Sequence, residues 1–207
     1  MPRLIDISPL LSERLRVWPG DVPFERPVGR RHEDGTGCAL SSIRTTLHVG
    51  AHADAPGHTR PDGRAIHELP LEIFHGPCQV LEVDVRRGAR IRPSDLRTPV
   101  RAPRVLFRTG TFPDPEAFTT DFAAFSVELA DALAAAGVVL AGIDTPSVDL
   151  FDDPDLAAHR ALARHGIVNV EGLVLENAPA GLYTLAAFPL RLEGADASPV
   201  RAVLVAG

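Results

Sequence analysis

The segment 48–58, which reads HVGAHADAPGH, constrains the fold of this 207-residue chain more than any other. Four ionisable side chains, those of His48, His52, Asp54 and His58, lie in this short stretch, and the positions between them carry only small or apolar residues. Successive side chains of an extended chain alternate between two faces, so all four would project from the same side. The segment therefore predicts one face rich in possible ligands and one apolar face.

This segment must bend if its four polar groups are to meet. Fully extended, it would span ~30 Å, far more than the coordination sphere of a metal ion. Gly50, Pro56 and Gly57 permit a bend. The first two histidines are also spaced as on a metal-binding helix, but the preceding SSIRTTL is β-prone and Gly50 and Pro56 oppose a helix. The sequence therefore predicts a strand that runs into a loop.

The four polar groups have two interpretations, a structural one and a metal-binding one. A single histidine is more often a hydrogen-bonded structural group than a ligand. Burying four ionisable groups together, however, costs several kcal/mol unless a metal or a charge partner compensates. Imidazole and carboxylate without sulfur suit Zn, Mn or Fe, and structural zinc sites more often contain cysteine. The ligand set therefore favours a catalytic metal site.

The composition is that of a globular protein without a nucleic-acid-binding surface. Hydrophobic residues make up 45% of the chain, charged residues 23%, and the net charge is -6 with no run of Lys or Arg. The sequence shows neither a signal peptide pattern nor an apolar stretch approaching the ~18 residues of a membrane span. We expect a cytoplasmic protein without nucleic acid or membrane partners. Cys38 and Cys78 form no CxxC pattern, so we expect reduced thiols.

No repeat or linker divides the chain, so we predict one domain, 1–207. Short β-prone runs predict strands at 78–85, 105–109, 138–143, 167–170, 182–188 and 202–205. Helices are predicted at 126–136, with Ser126 as the cap and Gly137 just beyond the end, and at 155–164. Strands interleaved with a few helices predict an α/β fold with a central mixed sheet.

The segment 48–58 resembles the His-x-Gly-(Thr/Ala)-His-x-Asp-x-Pro-x-His signature of the cyclase-like metal-dependent hydrolases. Similar segments are DIS at 6–8, VWPGD at 17–21, GIDTPSVD at 142–149, and His159 followed by VNVEG at 168–172. Ala51 stands where many members carry Thr, which is typical of the bacterial kynurenine formamidase (arylformamidase) branch. The resemblance covers the whole chain and implies a swivelling β/β/α fold and a homodimer or larger oligomer, of which we expect the homodimer.

The resemblance also implies a binuclear centre of two divalent ions, zinc or alternatively manganese. Position by position, His48, His52 and Asp54 resemble ligands of the first ion, and Asp54 also reaches the second. His159 resembles a ligand of the second ion and Glu171 a bridging carboxylate. Without the resemblance, His159 could equally be an exposed helical histidine and Glu171 a surface carboxylate.

Further roles are implied for single residues. His58 resembles the acid/base group, since imidazole titrates near neutral pH, although a further metal ligand is the alternative. Trp18 resembles a substrate-contacting residue whose plane could stack on an aryl ring, or it is a packing residue. Asp144 could orient a ligand or cap a turn. Surface or structural roles are expected for His32, His67, His75 and His165.

The implied activity is hydrolysis of N-formyl-L-kynurenine to L-kynurenine and formate, a step of tryptophan degradation. A related hydrolase of the same family, acting on another small aryl or cyclic amide such as isatin, is an alternative. A non-catalytic metal-binding protein is a more distant one. The chain has no Gly-x-Ser-x-Gly motif, which argues against a serine-hydrolase mechanism.

Overall fold

A computed structural model describes residues 2–207, which fold around one large mixed sheet. In chain order the strands are β1 (Arg3–Asp6), β2 (Val28–Arg30), β3 (Leu40–Ser41), β4 (His52–Asp54), β5 (His75–Glu82), β6 (Arg90–Ile91), β7 (Arg104–Arg108), β8 (Ala124–Phe125), β9 (Leu140–Ile143), β10 (Val168–Glu171), β11 (Gly181–Ala186), β12 (Ala197–Pro199) and β13 (Val203–Ala206). The two α-helices of these residues are α1 (Val127–Ala135) and α2 (Ala157–Arg164).

The large sheet has nine strands in the order β1-β13-β11-β5-β7-β9-β10-β4-β12. Its four central strands, β5, β7, β9 and β10, run parallel. Antiparallel strands flank them on both sides. All six predicted strands are present in this sheet, with ends displaced by at most three residues. The predicted α/β fold with a central mixed sheet and few helices is confirmed.

The parallel strands form the centre of the core because they are covered on both faces. Every residue of β9 is buried, as is nearly every residue of β7, which is the pattern that parallel strands require. Close packing between these strands depends on Gly142. A Cβ atom at that position would lie 2.5 Å from the Leu106 side chain.

Helices α1 and α2 cover one face of the parallel strands. Leu129, Leu133 and Leu162 from the helices pack in one cluster with Phe107 of β7. The Ser126 hydroxyl accepts a hydrogen bond of 3.1 Å from the backbone amide of Leu129, so this residue caps α1 as predicted.

Helix α2 begins at Ala157, two residues later than predicted. The backbone of Leu156 is left-handed, with φ 48, and a helix cannot continue through that conformation. The Asp149 carboxylate accepts hydrogen bonds from the backbone amides of Ala158 and His159, at 2.9 and 3.0 Å. The first turn is therefore capped by a residue from the preceding loop.

A second apolar cluster covers the other face of the sheet and includes Ile7, Ala53, Phe74 and Leu204. Strand β4 lies beside this cluster, near one edge of the sheet. Neither helix of residues 2–207 has the length and apolar character needed to cross a membrane.

Candidate metal centre

Strand β4 supplies His52 and Asp54, which are both buried, with only 2% and 3% of their surface exposed. They are two residues apart, so their side chains project from the same face. Gly50, with φ 58, turns the chain before the strand, and its carbonyl oxygen lies 2.9 Å from His52 Nδ1. Because a carbonyl only accepts, Nδ1 carries the proton and Nε2 of His52 keeps its lone pair for a ligand.

On the other side of the site, strand β10 supplies Glu171 and helix α2 supplies His159. Strand β10 pairs with β4 so that Glu171 lies opposite His52, and His52 Nε2 is 3.3 Å from Glu171 Oε2. His159 of α2 places its Nε2 2.9 Å from Glu171 Oε1 and 3.3 Å from Asp54 Oδ2. Residues from three elements thus meet around the two carboxylates.

His48 and His58 lie at the more open side of this cluster. His48 Nδ1 is 3.1 Å from Asp54 Oδ1. The predicted loop is a short 3-10 turn, Pro56–His58, and it brings His58 back so that the rings of His48 and His58 are 4.6 Å apart between centroids. The structure therefore brings together all six residues predicted for the site: His48, His52, Asp54, His58, His159 and Glu171.

Two buried atoms of the cluster fit a cation. Among residues 2–207, His52 Nε2 and Asp54 Oδ1 are buried side-chain atoms without a hydrogen-bond partner, because the approach of His48 to that oxygen lacks hydrogen-bond geometry. Ligand atoms of His52, Asp54 and Glu171 lie within 4.8 Å of one another, as do those of His48, Asp54 and His58. A buried polar atom without a partner is costly, and a metal ion would satisfy both.

The charges within the cluster also favour the binding of cations. Burial opposes the charged form of Glu171, but the positive charge of His159 outweighs it and lowers the pKa of Glu171 to about 2. Burial likewise opposes protonation of His48, yet the nearby Asp54 and Asp196 carboxylates raise its pKa to about 9. The pKa of Asp54 is held well below its usual value against its burial by His159 and His48. In the absence of metal, protons therefore occupy positions that cations would take.

Asp149 belongs to the site although the sequence analysis assigned it no role. Its Oδ2 lies 2.8 Å from His159 Nδ1, so that nitrogen donates and Nε2 faces Asp54 and Glu171. A carboxylate behind a histidine ligand is a common way to fix the ring and its tautomer. Its position at the end of GIDTPSVD was the available signal.

Asn169 is a second residue that the sequence analysis missed. Its Nδ2 donates hydrogen bonds to Asp54 Oδ2 at 2.7 Å and to Glu171 Oε1 at 3.0 Å. One amide thus holds the two carboxylates at a fixed separation. The signal was its place within VNVEG, two residues before Glu171.

The turn before β4 packs against the end of β10 at two glycines. Gly172 has φ 65, and a Cβ atom there would lie 2.1 Å from the Gly50 carbonyl oxygen. That same oxygen accepts the hydrogen bond from His52. The close approach of these backbones therefore positions a predicted ligand.

The cluster opens into a cavity of about 1000 Å³. Trp18, Phe112 and Phe118 form an aromatic part of its wall. Trp18 also packs on Phe151, with ring centroids 4.9 Å apart, and edge-on against Phe118 at 5.8 Å. Trp18 thus packs in an aromatic cluster and also lines the cavity, and its contact with a substrate stays a prediction.

Asp144 lines the cavity without reaching the ligands. Its carboxylate accepts hydrogen bonds from the Thr109 and Gly110 backbone amides, at 2.9 Å each, which agrees with the turn-capping interpretation. The other histidines lie elsewhere. His165 pairs with Asp131 and His75 stacks on Phe188.

Known proteins resemble this chain over nearly its whole length. A kynurenine formamidase of Salinibacter ruber (strain DSM 13855 / M31) is 45% identical over 206 residues, which cover 97% of this chain and 96% of that protein. A predicted metal-dependent hydrolase from Bacillus stearothermophilus is 27% identical with a TM-score of 0.84, covering 99% of this chain and 98% of that one.

Isatin hydrolase A from Labrenzia aggregata shares the fold, with a TM-score of 0.83 at 20% identity over 99% of this chain and 94% of that one. The model of the Cyclase family matches residues 5–150, a range that includes the segment 48–58. The match covers well over half of the sequence. The chain therefore belongs to the Cyclase family.

Proposed function

We propose that this chain hydrolyses N-formyl-L-kynurenine to L-kynurenine and formate. The observation that carries the proposal is the cluster of four histidines and two carboxylates that lies against a cavity with an aromatic wall. The similarity to the kynurenine formamidase of Salinibacter ruber supports the choice of substrate. Trp18 lines the same cavity as the cluster and could contact the aryl ring of a substrate whose formyl group enters the cluster.

The residues of the cluster suit two divalent ions, zinc or manganese. His48, His52 and Asp54 would hold the first ion, and Asp54, His159 and Glu171 the second. When bound, such ions polarise a carbonyl and lower the pKa of water, so that hydroxide is available at neutral pH. The sulfur-free ligand set is compatible with either metal.

The protein's own groups would then orient the substrate and move the proton. The aromatic wall at Trp18 would hold the aryl ring and exclude water from it. His58 takes a proton from the water as the water oxygen adds to the formyl carbon. The carbon–nitrogen bond then breaks, and His58 returns that proton to the departing aromatic amine. The products are formate and the free amine of L-kynurenine.

The experiment is to follow release of kynurenine from N-formyl-L-kynurenine by the purified protein. Activity is measured as isolated, after chelation, and after readdition of zinc or manganese. We expect turnover that chelation abolishes and metal restores. His165→Gln serves as a control, because this histidine pairs with Asp131 outside the cluster and should retain full activity.

Isatin, assayed in parallel, tests the alternative within the same family. Faster turnover of isatin than of the formamide would move the assignment to cyclic amides. Metal binding without turnover of any amide would favour a non-catalytic role.

We also propose a homodimer and a cytoplasmic location, which light scattering and cell fractionation would test.

A further inference from the structure

We propose that Asp196 is a positioning residue that fixes the orientation and tautomer of both His48 and His58. Its Oδ2 lies 3.0 Å from His48 Nε2 and 3.3 Å from His58 Nδ1. One carboxylate oxygen thus contacts a predicted metal ligand and the predicted acid/base group. The inference rests on the proposed function for the chemical role of His58.

Asp196 is held in place by the strand that carries two ligands. Its carbonyl oxygen accepts a hydrogen bond of 2.8 Å from the Ala55 backbone amide. The next residue, Ala197, begins β12 and pairs directly with Asp54 of β4. The carboxylate is therefore tied by backbone pairing to the site, although its side chain is 47% exposed and faces the cavity.

The contacts determine which ring nitrogens carry protons. An ionised carboxylate can only accept, so His48 Nε2 and His58 Nδ1 must both donate. When His48 is neutral, as a metal ligand must be, its lone pair is therefore on Nδ1, the atom 3.1 Å from Asp54 Oδ1 and thus on the ligand side. The contact with Asp196 leaves Nε2 of His58 as the nitrogen that exchanges a proton with the substrate.

The shared oxygen links two steps of the chemistry. The rings of His48 and His58 are 4.6 Å apart, close enough for a single oxygen to contact both. Loss of the carboxylate would release both rings at once. Removal of an outer carboxylate behind a ligand histidine costs roughly 10–100-fold in metal affinity or activity.

The test compares zinc-loaded wild type with Asp196→Ala and Asp196→Asn. Asp196→Asn keeps the shape and one accepting oxygen, so it protects the test if the alanine variant does not fold. Glu193→Gln is the matched control, because it removes an exposed carboxylate from the same loop. Among residues 2–207 this carboxylate forms no ion pair, whereas that of Asp196 contacts two histidines. Long-range proton–nitrogen NMR of labelled histidine reports the tautomer of His58 without any substrate.

We expect wild type and Glu193→Gln to show the Nδ1-protonated tautomer of His58. In Asp196→Ala the Nε2-protonated form, which a free histidine side chain favours, should become the major one. Zinc affinity, measured by competition with a chelator, should fall by roughly tenfold. With N-formyl-L-kynurenine, kcat should fall by roughly 10–100-fold while KM changes little, and Asp196→Asn should lie between the two.

An unchanged tautomer and unchanged zinc affinity in Asp196→Ala would overturn the proposal. A rise in KM at constant kcat and constant tautomer would also overturn it, since Asp196 would then bind substrate. If wild type does not hydrolyse the formamide at all, the proposed function fails. The NMR and affinity measurements still decide the role of Asp196 in that case.

Discussion

The Asp149 carboxylate accepts two hydrogen bonds from His159, one from the backbone amide at 3.0 Å and one from ring Nδ1 at 2.8 Å. The first contact caps α2, and the second turns the ring toward Glu171. One side chain therefore both starts a helix and orients a predicted ligand. Arg90, 3.1 Å from Asp149 Oδ1, adds a balancing charge.

We expect Asp149→Asn to weaken the second metal position. The carboxylate contacts only donors, from Arg90, Ala158 and His159, so an amide NH₂ group would face a donor. The free energy of unfolding should fall by about 3 kcal/mol. The affinity of the second metal position, which includes His159, should fall by roughly 10–100-fold. Denaturation and zinc titration measure both. Asp152→Asn, on the exposed part of the same loop, should behave as wild type, and equal affinities in the two variants would contradict the prediction.

His58→Gln should separate the two interpretations of this histidine. As an acid/base group, its loss should lower kcat by roughly 10²–10⁴-fold while the protein keeps its full metal content. Steady-state kinetics and elemental analysis of the same sample provide both quantities. A loss of metal in His58→Gln, absent from His165→Gln, would instead identify His58 as a ligand.

Trp18→Ala should raise KM for the formamide by up to roughly tenfold, since an aromatic contact contributes about 0.5–1.5 kcal/mol. Phe151→Leu is the packing control. Phe151 contacts Trp18 at 4.9 Å but does not line the cavity. Both variants should lose thermal stability, whereas only Trp18→Ala should change KM. A similar KM change in both would show that Trp18 acts through packing alone.

The metal-free protein should lose stability between about pH 6.5 and about pH 9. The Asp54 and Asp196 carboxylates raise the pKa of His48 from 6.5 to about 9 against its burial. The protonated ring therefore contributes its full stabilisation below pH 6.5. This contribution is lost as the pH rises through 9, where the folded protein releases the proton. Thermal melts across this range test the prediction.

Two comparisons complete this pH experiment. His48→Gln should flatten the pH dependence, because it removes the titrating imidazole. Zinc-loaded wild type should also depend less on pH over the same range, since a metal replaces the proton. A metal-free wild type whose melting temperature is constant from pH 6.5 to pH 9 would contradict the assignment.

Gly172→Ala should disturb the site through the backbone. A Cβ atom there would lie 2.1 Å from the Gly50 carbonyl oxygen, which orients His52. Gly166 has nearly the same φ, 69 against 65, and no neighbour within 4 Å of its added Cβ. Gly166→Ala should cost about 1 kcal/mol for the left-handed backbone alone. Gly172→Ala should cost clearly more and weaken zinc binding, and equal costs would show that the close approach is unimportant.

The central strands and both helices could be predicted because their apolar runs and caps are local signals. β9 and the centre of β7, residues 105–107, are continuous apolar segments, and Ser126 caps α1 as its sequence position indicates. The strand β12 is short, ends in proline and pairs at the edge of the sheet, so its segment has no comparable pattern. The start of α2 was misplaced because Leu156 adopts a conformation that no local rule assigns to leucine.

The residues that support the predicted ligands show more clearly what the sequence could not predict. The ligands of segment 48–58 are close in sequence, and their spacing alone indicated a metal site. Asp196 lies 138 residues from His58, and only the pairing of β12 with β4 brings them together. Asp149 and Asn169 were inside recognised segments, but their roles depend on which atoms they face.

The place of β4 between β10 and β12 has a consequence for the order of events during synthesis. Asn169 follows Asp54 by 115 residues, so the first ligands emerge long before the strands that will flank them. Pairings this distant in sequence form slowly, since a long loop must close first. A complete pair of metal positions can therefore arise only after α2 and β10 have docked against β4, and metal uptake then reports that the two distant parts of the site have met.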